Sequence, residues 1–191
     1  MMTPLRATPL DEEERTGLIP NHITTTQALN SWEGANILKA ESWAFRRRHK
    51  RLLTDVFVRR LHERMFDDTW KWAGRYRTTD KTIGIGWHQV PVHVREIMLD
   101  AVEWDAHATF PTEEIAARIH HRLVYVHPFS NGNGRHARLF ADLYLHQAGQ
   151  PRFTWGRMNL HSKGQSRSAY ITALRAADRG DIAPLLAFAR M

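Results

Sequence analysis

The sequence predicts a mainly α-helical domain carrying one small β-hairpin. Two observations carry that prediction. Apolar residues recur at three- and four-residue spacing over most of the chain from about residue 24 to residue 190. Only TTDKTIGIGWHQVPVHV at 78–94 breaks the rhythm: short β-branched runs alternate with polar residues there and are split by Gly84 and Gly86, a hairpin signal. With 191 residues, 42% hydrophobic content and seven Trp, the chain can bury one real core.

The elements follow in order. Residues 1–22 are polar, proline-dotted and locally acidic (DEEER), and read as an arm before a single domain at 23–191. Thr24 and Gln27 stand in capping-box spacing and open a short helix to about Trp32, which Gly34 ends. Helical spacing continues from Ala35 to Met65 as two segments, and WKWAGRYR at 70–77 is a turn with two tryptophans. Pro91 confines the second limb of the hairpin to an edge. Helices are then expected from Arg95 to about His107, from Thr112 (as N-cap) to Val126, and over 135–148, where Gly149 and Pro151 end the helix. The 135–148 helix is apolar on several sides and should lie inside a bundle. Two more helices fit 165–179 and 181–190.

Charge and composition narrow the function. The net charge is +7, from 22 Arg, 5 Lys and 20 Asp or Glu. Arginine suits planar, bidentate contacts to phosphate or carboxylate. The densest patch, FRRRHKR at 45–51, reads first as a solvated helix face beside Leu53, Phe57, Leu61 and Met65; nucleic-acid binding is the minority reading, since only Phe45 interleaves the patch. There is no cysteine, hence no disulfide or thiolate metal site. No run approaches the roughly 20 apolar residues of a membrane span, and the N-terminus has no signal-peptide core. The reading is a cytoplasmic protein.

The chemistry concentrates at 127–138, HPFSNGNGRHAR. Gly132, Asn133 and Gly134 sit where the chain turns into a helix, so inward-pointing amides and the helix N-terminus make an anion site. Arg135 and Arg138, three apart, add charge on one side of the first turn, enough for a polyphosphate. His127 could act as general base beside it, Asn131 offers an oxygen to Mg²⁺, and Phe129 anchors the loop. GNGRHA matches a dinucleotide-binding pattern in outline, but its surroundings are helical and FTWGRMNL at 153–160 lacks the required acid. His120, His121 and His127 lack the spacing and the carboxylate of a zinc site.

The stretch closely resembles the Fic (Fic/Doc) signature, H-P-F-x-[DE]-G-N-G-R-x-x-R, at all positions but Asn131, where the family usually has Asp or Glu. WKWAGRYR and AYITALRAADRGDIAPLLAF are also similar to Fic sequence, and in detail to a bacterial subgroup named mobile mystery protein B. The resemblance implies a Fic-type helical bundle that moves AMP from ATP to a hydroxyl of a target protein, with Mg²⁺ or Mn²⁺. His127 would be the base, Gly132, Asn133, Gly134, Arg135 and Arg138 the phosphate-binding residues, and Asn131 the metal ligand. The segment 78–94, with Ile83, Gly84, Ile85, Gly86 and Trp87 at its centre, would be the flap that aligns the target by strand addition. Many Fic proteins carry an inhibitory glutamate in [ST]-x-x-x-E-[GN]. Glu33-Gly34 fits its end within a helix at 24–34, with Leu29 in the Ser/Thr place, and Glu33 would pair with Arg138. Partners implied are ATP, an unidentified target protein and an antitoxin or regulator. The alternative is a binding module with a degenerate site, tied to mobile elements or toxin–antitoxin behaviour.

Overall fold

A computed structural model describes residues 16–157 and 165–191. Most of the expected N-terminal arm (1–15) lies outside the described residues. Among them are seven α-helices: α1 Thr26–Phe45, α2 Asp55–Phe66, α3 Val90–Ala106, α4 Thr112–Val126, α5 Asn133–Gln147, α6 Gln165–Asp178 and α7 Ala183–Arg190. The mainly helical fold is as expected.

α5 is the centre. Ala137, Phe140, Ala141, Leu143 and Leu145 are fully buried, and its neighbours α4, α2 and α1 close around it. α3 packs on α4, while α6 and α7 form a smaller cluster from Tyr170, Ala173, Ala177, Leu185 and Phe188. The core brings the 127–132 loop, which joins α4 to α5, to one end of the bundle.

Three expectations fail for physical reasons. The helix expected to end at Gly34 runs on to Phe45. Its cap is Thr25, whose hydroxyl accepts the Ala28 amide at 3.3 Å, one residue after Thr24. The buried stripe of α1 is Leu29, Glu33, Asn36, Ala40 and Ala44, all but Leu29 polar or small, so the apolar spacing gave no sign that the helix runs unbroken through Gly34. Gly34 faces open space, where a helical glycine costs only about 1 kcal/mol. The hairpin is the second failure. No strand forms among the described residues at 78–94; 78–86 is a loop, Trp87–Gln89 a 3₁₀ turn, and 90–94 the first turn of α3. Pro91 sits at the helix start, where its missing amide costs nothing, so the residue read as an edge marker is a helix opener. Third, the basic patch at 46–51 is an exposed connection between α1 and α2, while Phe57, Leu61 and Met65 do face the core. Thr112 is the first residue of α4; Pro111 holds the cap position.

Candidate active site

The loop 127–132 is braced from within and from below. Asn133 is buried, and its side chain accepts the Phe129 amide and donates to the Phe129 carbonyl, both at 2.8 Å. This closes the loop on itself and fixes fully buried Phe129 beneath it. The Asn133 side chain is thus taken up by the loop itself. Under the loop lies His62 of α2, stacked on Phe129 with ring centroids 3.7 Å apart. Its Nε2 donates to the Asn131 carbonyl at 3.0 Å, and its Nδ1 accepts the Gly74 amide at 3.0 Å. That pairing demands a neutral ring. Burial, then the neighbouring His136, holds its pKa well below the usual histidine range.

Gly132 has φ +78°, and a Cβ there would lie 2.4 Å from the Phe66 ring, so only glycine fits. No side chain caps α5. The first amides of a helix have no partner within it, so those of Asn133, Gly134 and Arg135 are left for an anion.

His127 ends α4 in the left-handed region (φ +55°), a conformation unusual for a non-glycine residue. Its Nδ1 is buried without a hydrogen bond of good geometry, which leaves Nε2 as the nitrogen for chemistry. Burial lowers its pKa; the Val124 carbonyl opposes this, and Arg77 and Lys81 add to it. The lowered pKa favours the neutral ring at pH 7.

Arg77 holds the other side. Its side chain is buried, with Nε donating to the His127 carbonyl at 2.7 Å, Nη1 to Thr79 at 3.0 Å, and Nη2 to Ile85 and Val126. One guanidinium thus ties the loop at 78–86 to the backbone of His127. Gly84 (φ +100°) then comes so close that a Cβ would lie 2.6 Å from that of His127. The sequence reading missed Arg77; an arginine flanked by turn residues gave no sign of burial.

The two arginines of the motif differ. Arg135 Nη1 bonds Glu33 Oε2 at 2.6 Å, with its guanidinium over the Phe66 ring. The other Glu33 oxygen accepts Trp70 Nε1 at 2.7 Å. Glu33 is thus buried and pairs with Arg135, not with Arg138 as expected, because Arg138 is one turn further along α5 and lies over Tyr170. Asn36, one turn after Glu33, locks α1 to the chain after α2: its Oδ1 accepts from the Asp68 amide and the Thr69 hydroxyl. The two tryptophans of the WKW turn stack at 4.9 Å, and Trp70 is the one that positions Glu33.

Asn131 Oδ1 accepts the Gly132 amide at 2.6 Å, so the oxygen expected at a metal already serves the loop. Among the described residues no three His, Cys, Asp or Glu group together as metal ligands. The donors present do not fit a protein-held Mg²⁺. His120 and His121 are engaged with Tyr170 and Asp178.

These parts share one cleft of about 800 Å³. His127, Gly132, Gly134, Arg135 and Arg138 line one side, Glu33 of α1 and Ile83 and Gly84 border it, and Tyr125, Ile171 and Leu174 give an apolar wall. Cation, open helix N-terminus, neutral imidazole and apolar wall are the complement of a nucleoside polyphosphate.

The sequence profile of the Fic/DOC family matches residues 52–145. The chain carries a Fic/DOC family domain. It is 34% identical over 119 residues to protein adenylyltransferase fic-1 of Caenorhabditis elegans, covering 61% of this chain and 22% of that protein. With protein adenylyltransferase Fic of Nematostella vectensis it shares 35% over 120 residues, 61% of this chain and 26% of the relative. The chain thus spans about a quarter of the curated relatives it matches. Among solved structures, Fic-1 (aa134–508) from C. elegans is similar at TM-score 0.62 and 27% identity, over 83% of this chain and 48% of that one. BepC from Bartonella tribocorum, with bound AMPPNP, shares the fold at TM-score 0.67 and 16% identity, over 94% and 97%. Outside the Fic match, α1 supplies Glu33 to the cleft. No helix among the described residues is long and apolar enough to cross a membrane.

Proposed function

We propose that this chain is a Fic-type protein adenylyltransferase held back by Glu33. The observation that carries the reading is the convergence of His127, the open start of α5, Arg135 and Arg138 in one cleft, with a carboxylate seated on Arg135. ATP would lay its phosphates along the amides of 133–135 and the two arginines, with its base against the apolar wall. His127 Nε2 takes the proton from an acceptor hydroxyl as that oxygen attacks the α-phosphorus. The bond to the β-phosphate breaks, pyrophosphate leaves, and AMP stays on the target. A positioned base is worth typically ~10²–10⁴-fold.

Ile83, Gly84, Ile85, Gly86 and Trp87 would guide the target segment. Ile83 and Trp87 are exposed, and Ile83 and Gly84 border the cleft beside His127. Their loop would gain strand pairing only from the incoming chain. Mg²⁺ or Mn²⁺ would arrive with the nucleotide and find no carboxylate at 131. The domain would span 23–191 behind its arm. A cytoplasmic bacterial setting, the mobile mystery protein B subgroup and an antitoxin or regulatory partner rest on the resemblance of the WKWAGRYR and C-terminal stretches. One observation favours the second reading, a nucleotide-binding module without transfer: Asn131 leaves the site a charge short.

Labelled ATP with Mg²⁺ or Mn²⁺ tests both. Label should appear on the protein itself or on a lysate protein. His127→Ala should abolish it while nucleotide binding persists. Glu33→Gly should raise both affinity and transfer, because it frees Arg135 for the phosphates. It should also cost ~1–3 kcal/mol of stability through the orphaned Trp70 N–H. ATP binding without transfer in Glu33→Gly would select the module; no binding would sink both.

A further inference from the structure

Six of the seven net positive charges of this chain lie between residues 46 and 64, where eight Arg or Lys face two carboxylates. The connection from α1 to α2 carries Arg46, Arg47, Arg48, Lys50 and Arg51, and the outer face of α2 carries Arg59, Arg60 and Arg64; all eight are exposed. None forms an ion pair with a described residue, although described arginines elsewhere (77, 118, 122, 135, 152 and 190) do. Trp43 joins the two groups. Arg60 and Arg64 stand over its ring at 5.5 and 5.4 Å, and His49 of the connection packs against it at 4.9 Å. Gln147 of α5 fixes the backbone of His49, so the connection is tied down. Beside them Arg59, Arg60, Arg64 and Arg75 edge a groove of about 620 Å³ whose carboxylates are Glu63 and Asp67. No residue of this groove lines the catalytic cleft.

We propose that this surface binds the phosphate backbone of duplex DNA. Nine exposed cations, five on the connection and four about the groove beside it, match the charge of a duplex, which carries one negative charge per about 1.7 Å of axis. Arginine forks onto phosphate oxygens where lysine offers a point charge, and eight of these nine are arginine. A single strand is disfavoured because its bases need open aromatic platforms. Trp43 is covered by Phe57 (stacked, 6.0 Å), His49 and the two arginines. An isolated basic helix face would not make this surface; two elements converging on Trp43 do. Contacts to the phosphate backbone carry no sequence information, so binding is independent of sequence and steep in salt. The surface leaves the cleft free, so DNA and nucleotide bind together.

Fluorescence anisotropy with a labelled 20-base-pair duplex of arbitrary sequence tests this on the full chain. Four or five phosphates neutralised at once give a fall of about 10²-fold in affinity between 50 and 200 mM salt. Arg60→Ser with Arg64→Ser should weaken binding at least tenfold, and Arg46→Ser, Arg47→Ser and Arg48→Ser, all in the exposed connection, should do so without touching a helix. Melting curves confirm that each variant folds. Equal affinity for a single strand, polyglutamate or phosphatidylserine vesicles would overturn the duplex assignment in favour of an acidic-protein or membrane surface. Undetectable binding at 50 mM salt, or wild-type binding by both variants, would overturn it outright. ATP labelling is read separately, so loss of one reading leaves the other standing.

Discussion

Two segments meet at His127, and they are held in opposite ways. The 127–138 stretch is bedded on buried neutral groups: Asn133 closes it, His62 stacks beneath it, and His136 of α5 donates to the Val58 carbonyl at 2.9 Å. The 78–86 loop has no strand partner among the described residues; one buried cation, Arg77, ties it to the backbone of His127, and Ile85 packs it on the core. On the proposed function the first would be the floor for phosphate, and the second a guide that a target chain reshapes. Catalysis by positioning needs both, since a base must be fixed while the acceptor comes and goes.

Acid should break the floor first, and this is the largest effect expected. His136 is held down at about 4, His120 at about 3, and His62 well below the usual value, all chiefly by burial. Each folded pKa is below the unfolded value of 6.5. The stability they contribute is therefore complete above pH 6.5 and lost as pH falls through the folded values. His136 alone is worth on the order of 3 kcal/mol across that window. Asp142 opposes them: burial pushes it up to about 6, so its contribution grows as pH falls from 6 to 4. The histidines are more numerous and more strongly shifted, so urea midpoints should drop between pH 7 and pH 5, with nucleotide affinity dropping alongside. A flat midpoint over that range would mean that the histidines are not buried neutral.

The two segments also differed in how far the sequence disclosed them. The signature at 127–138 was legible because its chemistry is local: glycine at a left-handed turn, an amide that braces its own loop, and arginines one turn apart. The partners it needs are not local. His62, Trp70 and Arg77 lie far along the chain from their counterparts, and nothing in WKWAGRYR says that one tryptophan holds a glutamate and one arginine is buried. Glu33 was read as a candidate, yet assigned to the wrong arginine, because one turn of α5 decides the pairing and spacing cannot. At 78–94 the β-branched residues are real, but Pro91 is equally at home opening a helix. Local pattern could not choose.

Arg77→Ala should be the next largest change. It strands the carbonyls of His127, Thr79, Ile85 and Val126 and should cost ~2–4 kcal/mol. Transfer should fall more than nucleotide affinity, because the phosphate floor keeps its own braces. Arg77→Lys should not rescue it, since an ammonium cannot fork to carbonyls on both sides. If lysine restores full transfer, the loop is not held by that fork.

The smallest effect sits between the two segments, at Asn131. Its Oδ1 accepts the Gly132 amide, which any carboxylate at the same place could also do. Asn131→Asp therefore keeps the loop bond while adding the one charge the floor lacks, and its volume hardly changes. Mg²⁺ takes oxygen ligands, commonly one or two carboxylates together with phosphate oxygens, so the aspartate should tighten Mg²⁺ in the presence of ATP by roughly tenfold, about 1.4 kcal/mol. Transfer should rise with it, and rise further when Glu33→Gly also frees Arg135. Asn131→Ala removes the acceptor and should lower both stability and activity. Isothermal titration with Mg²⁺ and ATP separates the possibilities. Tighter metal without transfer, in the chain that combines Asn131→Asp with Glu33→Gly, would show that the floor binds nucleotide but that the guide does not deliver an acceptor. Unchanged metal affinity would show that the oxygen at 131 belongs to the loop alone.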